Sequence, residues 1–377
     1  MKKAGISKNI LLLNPFHGGS HGQWAEGLIG YSEHNFTILT LPDRNWKWRM
    51  HGAAIQFSKQ LLDQDLNPDI ILTTDMLDVS TLKALICNKL PAVKIYSYFH
   101  ENQITYPWSP TDQDVELKRD YHYAFINYVS ALASDKVFFN SEFHLNSFLQ
   151  GVQTILGHFP DRIDLSTVND IKEKSFVLGL GMELSAITNE NRATKHEKNA
   201  IPVLLWNHRW EYDKNPELFF NTLFRLHDEG SDFHLIVTGE SHHKKPPIFK
   251  LAEEKLNSKI IHFGYAASKQ EYHNLLKRSD ILPVTSKQDF FGGSIVEAIC
   301  GGALPLLPDR LAYPEHIPKP YQTDLLYQDE DMFYDKLKGL IKNFHQFGDI
   351  QKNLVEHISK YDWQRIIGQY DKQLREA

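Results

Sequence analysis

Short apolar or β-branched runs alternate with amphipathic segments along the whole chain. In the first half, the runs at 10–14, 36–40, 69–73, 93–98 and 136–139 predict buried strands. Segments 50–64, 78–88, 120–133 and 141–150 carry their apolar residues at helical spacing and predict the helices between them. The second half repeats the scheme, with strands predicted at 202–206, 233–238, 260–262, 281–284, 304–307 and 324–327. Its helices are predicted at 216–229, 247–257, 268–278, 293–300 and 331–345. Such alternation implies an α/β chain with parallel sheets covered on both faces. The polar, aperiodic stretch 184–200 reads as a linker between a first domain over 1–183 and a second over 201–348. Helical periodicity returns in the final segment, 349–377, with Trp363 and Tyr370 on it.

Doubly wound domains bind ligands beyond the carboxyl ends of their strands, so functional loops are expected there. Four polar loops follow predicted strands: HGGSHG at 17–22, FHENQITYPW at 99–108, NHRWEYDKN at 207–215 and TSKQDFFGG at 285–293. The last runs into DFFGGSIVEAICGGALPLLP, which sets Asp289 and Glu297 eight positions apart around two glycines and a helix start near Ser294. Carboxylates bind sugar hydroxyls, glycine lets backbone approach, and a helix N-terminus attracts an anion. A ligand both hydroxylated and phosphorylated, such as a sugar nucleotide, fits that combination.

Arg209 and Lys214 sit between a strand and a helix, where they can compensate a diphosphate or simply pair with Glu211 and Asp213 in a solvated turn. Gly18 and Gly19 can bring backbone N–H groups onto a phosphate, although glycine turns after strands are common. His100, with Glu101 and Asn102, reads as an acid, base or hydrogen-bond donor at a strand end, or as a structural histidine. The segment 42–51 interleaves Arg44, Lys47 and Arg49 with Trp46 and Trp48. That pattern suits an RNA loop or a stacked base, and equally a loop whose tryptophans plug the core. The basic tip HHKK at 242–245 reads as solvated.

Composition narrows the classes. A length of 377 residues admits two ordinary domains. No apolar run approaches the ~20 residues of a membrane span, and the basic N-terminus precedes too short an apolar stretch for a secretory signal. Cys87 and Cys300 are the only cysteines, which fits a reducing, cytoplasmic setting. A net charge of −6 speaks against a general nucleic-acid coat but allows a local basic face. Neither H-E-x-x-H nor paired C-x-x-C is present, so no metal is expected. The Asp63/Asp65, Asp112/Asp114 and Asp329/Asp331 pairs read as surface acids.

The acid-x7-acid motif, Arg209 with Lys214, and FGYAASKQEYHNLLKRSDILPVTS at 263–286 together resemble retaining GT-B glycosyltransferases. NPFHGGSH, LPDRNWKWR, YFHENQITYP, FNSEFHLNSFL, NHRWEYDKNPE and the YPE at 313–315 sharpen the resemblance to the tRNA-queuosine α-mannosyltransferase family, over about residues 10–320. The resemblance implies a GT-B fold of two Rossmann-like domains facing a central cleft, with the acceptor on the first domain and the C-terminal helix crossing back to it. It implies that Glu297 holds the nucleotide ribose and that Asp289, more often Glu in the broad class, holds donor-sugar hydroxyls. Phe291, Gly292, Gly293 and Ser294 would offer backbone N–H groups, Arg209 and Lys214 would bind the diphosphate, and Gly18 and Gly19 would touch it. Phe263, Gly264 and Tyr265 would line the base pocket, and His100 would approach the transferred sugar. The implied donor is GDP-mannose, without cofactor, metal or membrane. The implied acceptor is queuosine at the wobble position of tRNA of the tRNA-Asp type, with Arg44, Trp46, Lys47, Trp48, Arg49, Glu101 and Asn102 on the RNA side. Rival readings keep the fold but change the acceptor to a glycan, lipid or metabolite, or make the chain a non-catalytic binder. An epimerase or phosphorylase shares the fold, but no lysine has a context suited to a phosphorylase cofactor.

Overall fold

The computed structural model describes residues 7–108, 122–159, 165–188, 199–240 and 246–375. The chain divides into two units, one running to Met182 and resuming at Trp363, the other spanning Glu183–Asp362.

The first unit holds β1 (Asn9–His17), β2 (Asn35–Pro42), β3 (Ile70–Thr74), β4 (Lys94–Phe99), β5 (Lys136–Phe139) and β6 (Ser175–Val177) in the order β2-β1-β3-β4-β5-β6. Every pairing is parallel. Between the strands run α1 (Gly19–Tyr31), α2 (Trp46–Asp63), α3 (Val79–Ile86), α4 (His122–Ala133), α5 (Glu142–Gly157) and α6 (Ser166–Glu173). The order reverses between β1 and β3, so ligand-binding loops are expected beyond the ends of those two strands.

The second unit begins with α7 (Leu184–Thr188), β7 (Val203–Trp206), α8 (Pro216–Asp228), β8 (His234–Thr238), α9 (Ile248–Lys255), β9 (Ile260–Gly264) and α10 (Lys269–Arg278). It continues with β10 (Ile281–Pro283), α11 (Gly293–Cys300), β11 (Leu304–Pro308), α12 (Lys319–Leu325), β12 (Leu326–Tyr327), α13 (Glu330–Asn343) and α14 (Gly348–Ile358). Its sheet order is β12-β11-β10-β7-β8-β9, again parallel, and the reversal falls between β7 and β10.

The structure adds β6, α6 and α12 to the elements the pattern predicts and differs from it in three further ways. Helix α2 starts at Trp46, four positions before the predicted start, because Asn45 takes a left-handed turn and Trp46 packs against the Met50, Met76, Tyr123 and Ile126 cluster. The stretch read as a linker opens with a helix, α7, whose Ser185 N–H donates to the Asp362 carboxylate at 2.6 Å; 189–198 lie outside the described residues. The final segment is two helices rather than one: α14 belongs to the second unit and Trp363–Arg375 to the first.

Two glycines let the last helix dock. A Cβ on Gly27 would stand 2.0 Å from the Trp363 indole nitrogen, and one on Gly181 would stand 2.5 Å from its ring. Burying one tryptophan of about 200 Å² contributes roughly 5 kcal/mol. Polar contacts fix the register: Trp24 Nε1 donates to Tyr370 Oη at 3.0 Å, and Tyr370 Oη to the Gly179 carbonyl at 2.8 Å.

Candidate active site

In the second unit, the loops after β7 and β10 meet at the sheet's reversal point. A 3-10 turn over Tyr212–Lys214 leaves Lys214 almost fully buried. Its Nζ donates to the Gln288 carbonyl at 2.8 Å and to Asp289 Oδ1 at 3.0 Å. Asp213 Oδ2 lies 3.2 Å away, an ion pair in which neither Asp213 oxygen accepts a hydrogen bond. Two of the three ammonium donors are thus engaged. Burial works against the charge on Lys214, but Asp289 and Asp213 outweigh it and its pKa is raised. Burial likewise works against the Asp289 carboxylate, and Lys214, His208 and the Tyr313 hydroxyl outweigh it, so that its pKa is lowered.

Glu297, the second acid, takes the opposite shift. Burial raises its pKa even though Tyr272 Oη donates to its Oε2 at 2.9 Å. Asn207 supports both sides of this arrangement, its Nδ2 donating to Tyr272 Oη at 3.2 Å and to the Ser294 carbonyl at 2.8 Å. Helix α11 starts through Gly292 in a left-handed conformation, φ +87°, which a side chain would strain. Ser294 Oγ pairs with His208 Nδ1 at 3.2 Å, and burial lowers the His208 pKa to about 4. The buried Nε2 of His208 and Oδ1 of Asn207 have no hydrogen-bond partner among the described residues. Such unsatisfied atoms are costly unless a ligand or water meets them.

The remaining residues expected on the donor side are spread around this corner. Arg209 is largely exposed, with Nη1 3.4 Å from Glu211 Oε2. Phe263 packs edge-on against Trp210, ring centroids 4.9 Å apart, while Tyr265 is 75% exposed and Gly264 adopts φ +137°.

In the first unit, His100 is buried beyond β4. Its backbone N–H donates to Asp75 Oδ1 at 2.9 Å, and its carbonyl accepts from Asn140 Nδ2 at 2.9 Å. Its ring lies against His21 (4.3 Å), Trp24 and Tyr98 (4.8 Å each). Burial, helped by His21 and His144, holds its pKa well below the ordinary value, and burial lowers His21 to about 4. Both imidazoles are therefore neutral near pH 7, with His100 Nε2 and His21 Nδ1 lacking hydrogen bonds among the described residues. Asp75 is pushed well above the carboxylate range by burial and by Glu101. Glu101 Oε1 accepts from Gln103 Nε2 at 3.1 Å. Asn102 is fully buried, and its Oδ1 accepts from the backbone N–H of Ile104 and Thr105 at 3.0 and 2.9 Å, closing the turn. It shapes the loop from inside. Gly18 precedes α1, with the Asp43 carboxylate where a Cβ would lie, and Gly19 has φ +50°.

The Arg44–Arg49 segment divides its side chains. Trp46 lies 5.1 Å from the Tyr123 ring, and Lys47 Nζ stands over the Trp46, Trp108 and Tyr123 rings at 5.5–5.8 Å. Trp48 is 75% exposed, Arg44 is exposed, and Arg49 Nε donates to the Pro42 carbonyl at 3.3 Å. Core packing and an exposed aromatic thus coexist in one helical turn.

Asp63 and Asp65 pair with Lys59 and Lys89 at the surface, and Asp329 caps α13. Residues 242–245 and Asp112/Asp114 lie outside the described residues. Among the described residues, no three His, Cys, Asp or Glu side chains group to hold a metal ion, and no helix is long and apolar enough to cross a membrane. His208, Asn207, Tyr272 and Tyr313 were not singled out from the sequence. His208 stands inside the loop that yielded Arg209, and Tyr313 inside the YPE motif, but their partners are distant in the chain.

Comparison with known proteins identifies the family and the fold. The family profile described as tRNA-queuosine alpha-mannosyltransferase N-terminal matches residues 9–182, and that of glycosyl transferases group 1 matches 188–359. A Drosophila melanogaster protein named tRNA-queuosine alpha-mannosyltransferase is 36% identical over 317 residues, covering 82% of each chain. A Xanthomonas oryzae GDP-mannose:cellobiosyl-diphosphopolyprenol alpha-mannosyltransferase is 20% identical over 46% of this chain and 47% of its own. Among solved structures, the catalytic domain of Arabidopsis thaliana starch synthase IV superposes with TM-score 0.71 at 13% identity, covering 98% of this chain and 99% of that one. Sucrose-phosphate synthase from Thermosynechococcus elongatus gives 0.68 at 14%, covering 98% of both. The fold is GT-B, the chain is a glycosyltransferase, and it belongs to the tRNA-queuosine α-mannosyltransferase family.

Proposed function

We propose that the protein transfers mannose from GDP-mannose to the queuosine base of tRNA at the wobble position, as in tRNA-Asp, with retention at the anomeric carbon. The observation that carries this reading is the 36% identity to the Drosophila tRNA-queuosine alpha-mannosyltransferase over 82% of the chain. The buried cation beside an acid at a helix start supports it chemically. The name of the Xanthomonas relative supports the choice of donor.

Departure of the diphosphate is the demanding step, because charge accumulates on it. Lys214 has one N–H outside its two hydrogen bonds to give a diphosphate oxygen. Arg209 and the N–H groups at Phe291–Ser294 add to the compensation. Glu297 takes the ribose hydroxyls, Asp289 takes hydroxyls of the donor sugar, and Phe263, Gly264 and Tyr265 line the base. His100, kept neutral by burial, donates or accepts a hydrogen bond near the sugar without adding a second cation. No carboxylate is assigned as nucleophile. The leaving phosphate oxygen takes the acceptor proton, and attack comes from the face it leaves. Arg44, Trp48, Arg49 and Glu101 form the RNA side, and the reaction runs in the cytoplasm without a cofactor.

Transfer of label from GDP-[14C]mannose to purified tRNA, with and without queuosine, tests the proposal. Label is expected only in queuosine-containing tRNA. Equal labelling of both preparations, or labelling only from a UDP-sugar, contradicts the acceptor or the donor respectively.

A further inference from the structure

Asp289 is gripped from two directions. Lys214 Nζ donates to Oδ1 at 3.0 Å, and Tyr313 Oη donates to Oδ2 at 2.5 Å. A carboxylate oxygen accepts two hydrogen bonds, so each oxygen keeps one acceptor direction, and the two internal donors fix where those directions point. Tyr313 is itself fully enclosed. It is 0% exposed and opens a short 3-10 turn, Tyr313–His316. A Cβ added to Gly292 would come within 3.3 Å of its ring. His316, at the far end of the same turn, bonds the Phe291 carbonyl at 2.6 Å. One buried turn therefore anchors both the acid and the backbone that leads into α11. Burial first, and then Asp289, raises the phenol pKa well above its ordinary value, which keeps the proton on the oxygen that donates.

We propose that Tyr313 is a positioning residue for the donor sugar: it orients Asp289 so that the carboxylate accepts from hydroxyls of one sugar stereochemistry and fits an epimer poorly. This rests on the proposed role of Asp289 at the sugar and goes beyond it by assigning the stereochemical selection to a residue that does not touch substrate.

The test uses the full-length protein and Tyr313→Phe, which keeps the ring against Gly292 and removes only the hydroxyl. Calorimetry measures dissociation constants for GDP, GDP-mannose and GDP-glucose; the corresponding UDP compounds replace them if wild type binds those more tightly. The sugar contribution is the affinity ratio of nucleotide sugar to nucleotide. In Tyr313→Phe, nucleotide affinity is expected within about twofold of wild type. The sugar contribution is expected to fall about tenfold, and the preference between epimers to narrow, as for a lost hydrogen bond to a charged group. In an Asp289→Ala background, adding Tyr313→Phe is expected to change the sugar contribution no further, because the effect passes through Asp289. A melting temperature for each variant separates loss of fold from loss of positioning. An unchanged sugar contribution in Tyr313→Phe, or equal effects with and without Asp289, overturns the proposal. If Asp289→Ala itself leaves the sugar contribution intact, the reading of Asp289 fails first and Tyr313 with it. If wild type binds no nucleotide sugar, the proposed function falls with both.

Discussion

Burial neutralises imidazoles at the carboxyl ends of both sheets, but only the second unit's end holds a buried ion pair beside them. In the second unit, ionised groups are held in contact: Lys214 against Asp289 and Asp213, with shifts that keep cation and anion charged despite burial. In the first unit, burial strips charge away: His100, His21 and His144 are neutral, and Asp75 is pushed above the carboxylate range. The difference suits the chemistry proposed for each end. A diphosphate needs compensation that persists as charge builds on it, whereas a sugar carbon and a neutral diol need hydrogen bonds without a competing cation.

Removing Lys214 should break this contrast most severely. Lys214→Ala is expected to lower transfer by about 10²–10³-fold. It also leaves two carboxylates without their buried counter-ion, a loss of about 3–5 kcal/mol of stability. Rates and melting curves for the same preparation check both, and a variant with near-normal turnover removes Lys214 from the mechanism. His100→Ala sharpens the contrast from the neutral side: transfer should fall by roughly 10²-fold, while GDP affinity, measured by calorimetry, stays at the wild-type value.

Acid should act on both ends through the same groups. His21, His208 and His316 have folded pKa values lowered to about 4 and His144 to about 3, each because burial disfavours the cation. Unfolded histidine titrates near 6.5, so as pH falls from there the unfolded chain takes up protons first and the folded state loses stability. The slope is about 1.4 kcal/mol per pH unit for each such histidine. The histidine contribution is therefore fully present above about pH 6.5 and is lost toward about pH 4, and the contribution of Asp289, whose pKa is depressed, is lost at lower pH as it protonates in turn. Asp75 and Glu297, whose pKa values burial raises, work in the opposite sense over this range, so urea denaturation is compared between wild type and His144→Gln; a wild-type profile no steeper toward acid than the variant's contradicts the buried neutral imidazole.

The smallest expected effect separates two tryptophans. Trp46→Ala should destabilise the protein by about 2–3 kcal/mol, as a half-buried aromatic does, whereas Trp48→Ala should leave stability within ~0.5 kcal/mol and weaken tRNA binding. Arg44→Glu with Arg49→Glu should lower the salt dependence of tRNA affinity by about one to two units of slope. An unchanged slope moves the RNA side elsewhere.

Much of this organisation is legible in the chain because it depends on local order. Strand–helix alternation gives parallel sheets, and position after a strand marks Lys214, Asp289 and His100. Less legible are elements with little periodic signal, such as the three-residue β6 and the eight-residue α6. Helix α2 begins early for a tertiary reason, the seating of Trp46, which no pattern before Met50 announces. The supporting residues are hidden for the same cause: Tyr313 reaches Asp289 from 24 positions away, Tyr272 reaches Glu297 from 25, and Asp75 reaches His100 from 25. Burial decides the rest, since sequence alone does not tell a neutral histidine from a charged one.

The charged corner of the second unit is the claim on which the mechanism stands, and a crystal structure of the full chain with GDP-mannose tests it most directly. The account predicts diphosphate oxygens within hydrogen-bond distance of Lys214 Nζ, the Arg209 guanidinium and the N–H groups at the start of α11, with ribose hydroxyls on Glu297. A diphosphate bound away from Lys214, with its ammonium still turned wholly to Gln288, Asp289 and Asp213, would contradict it.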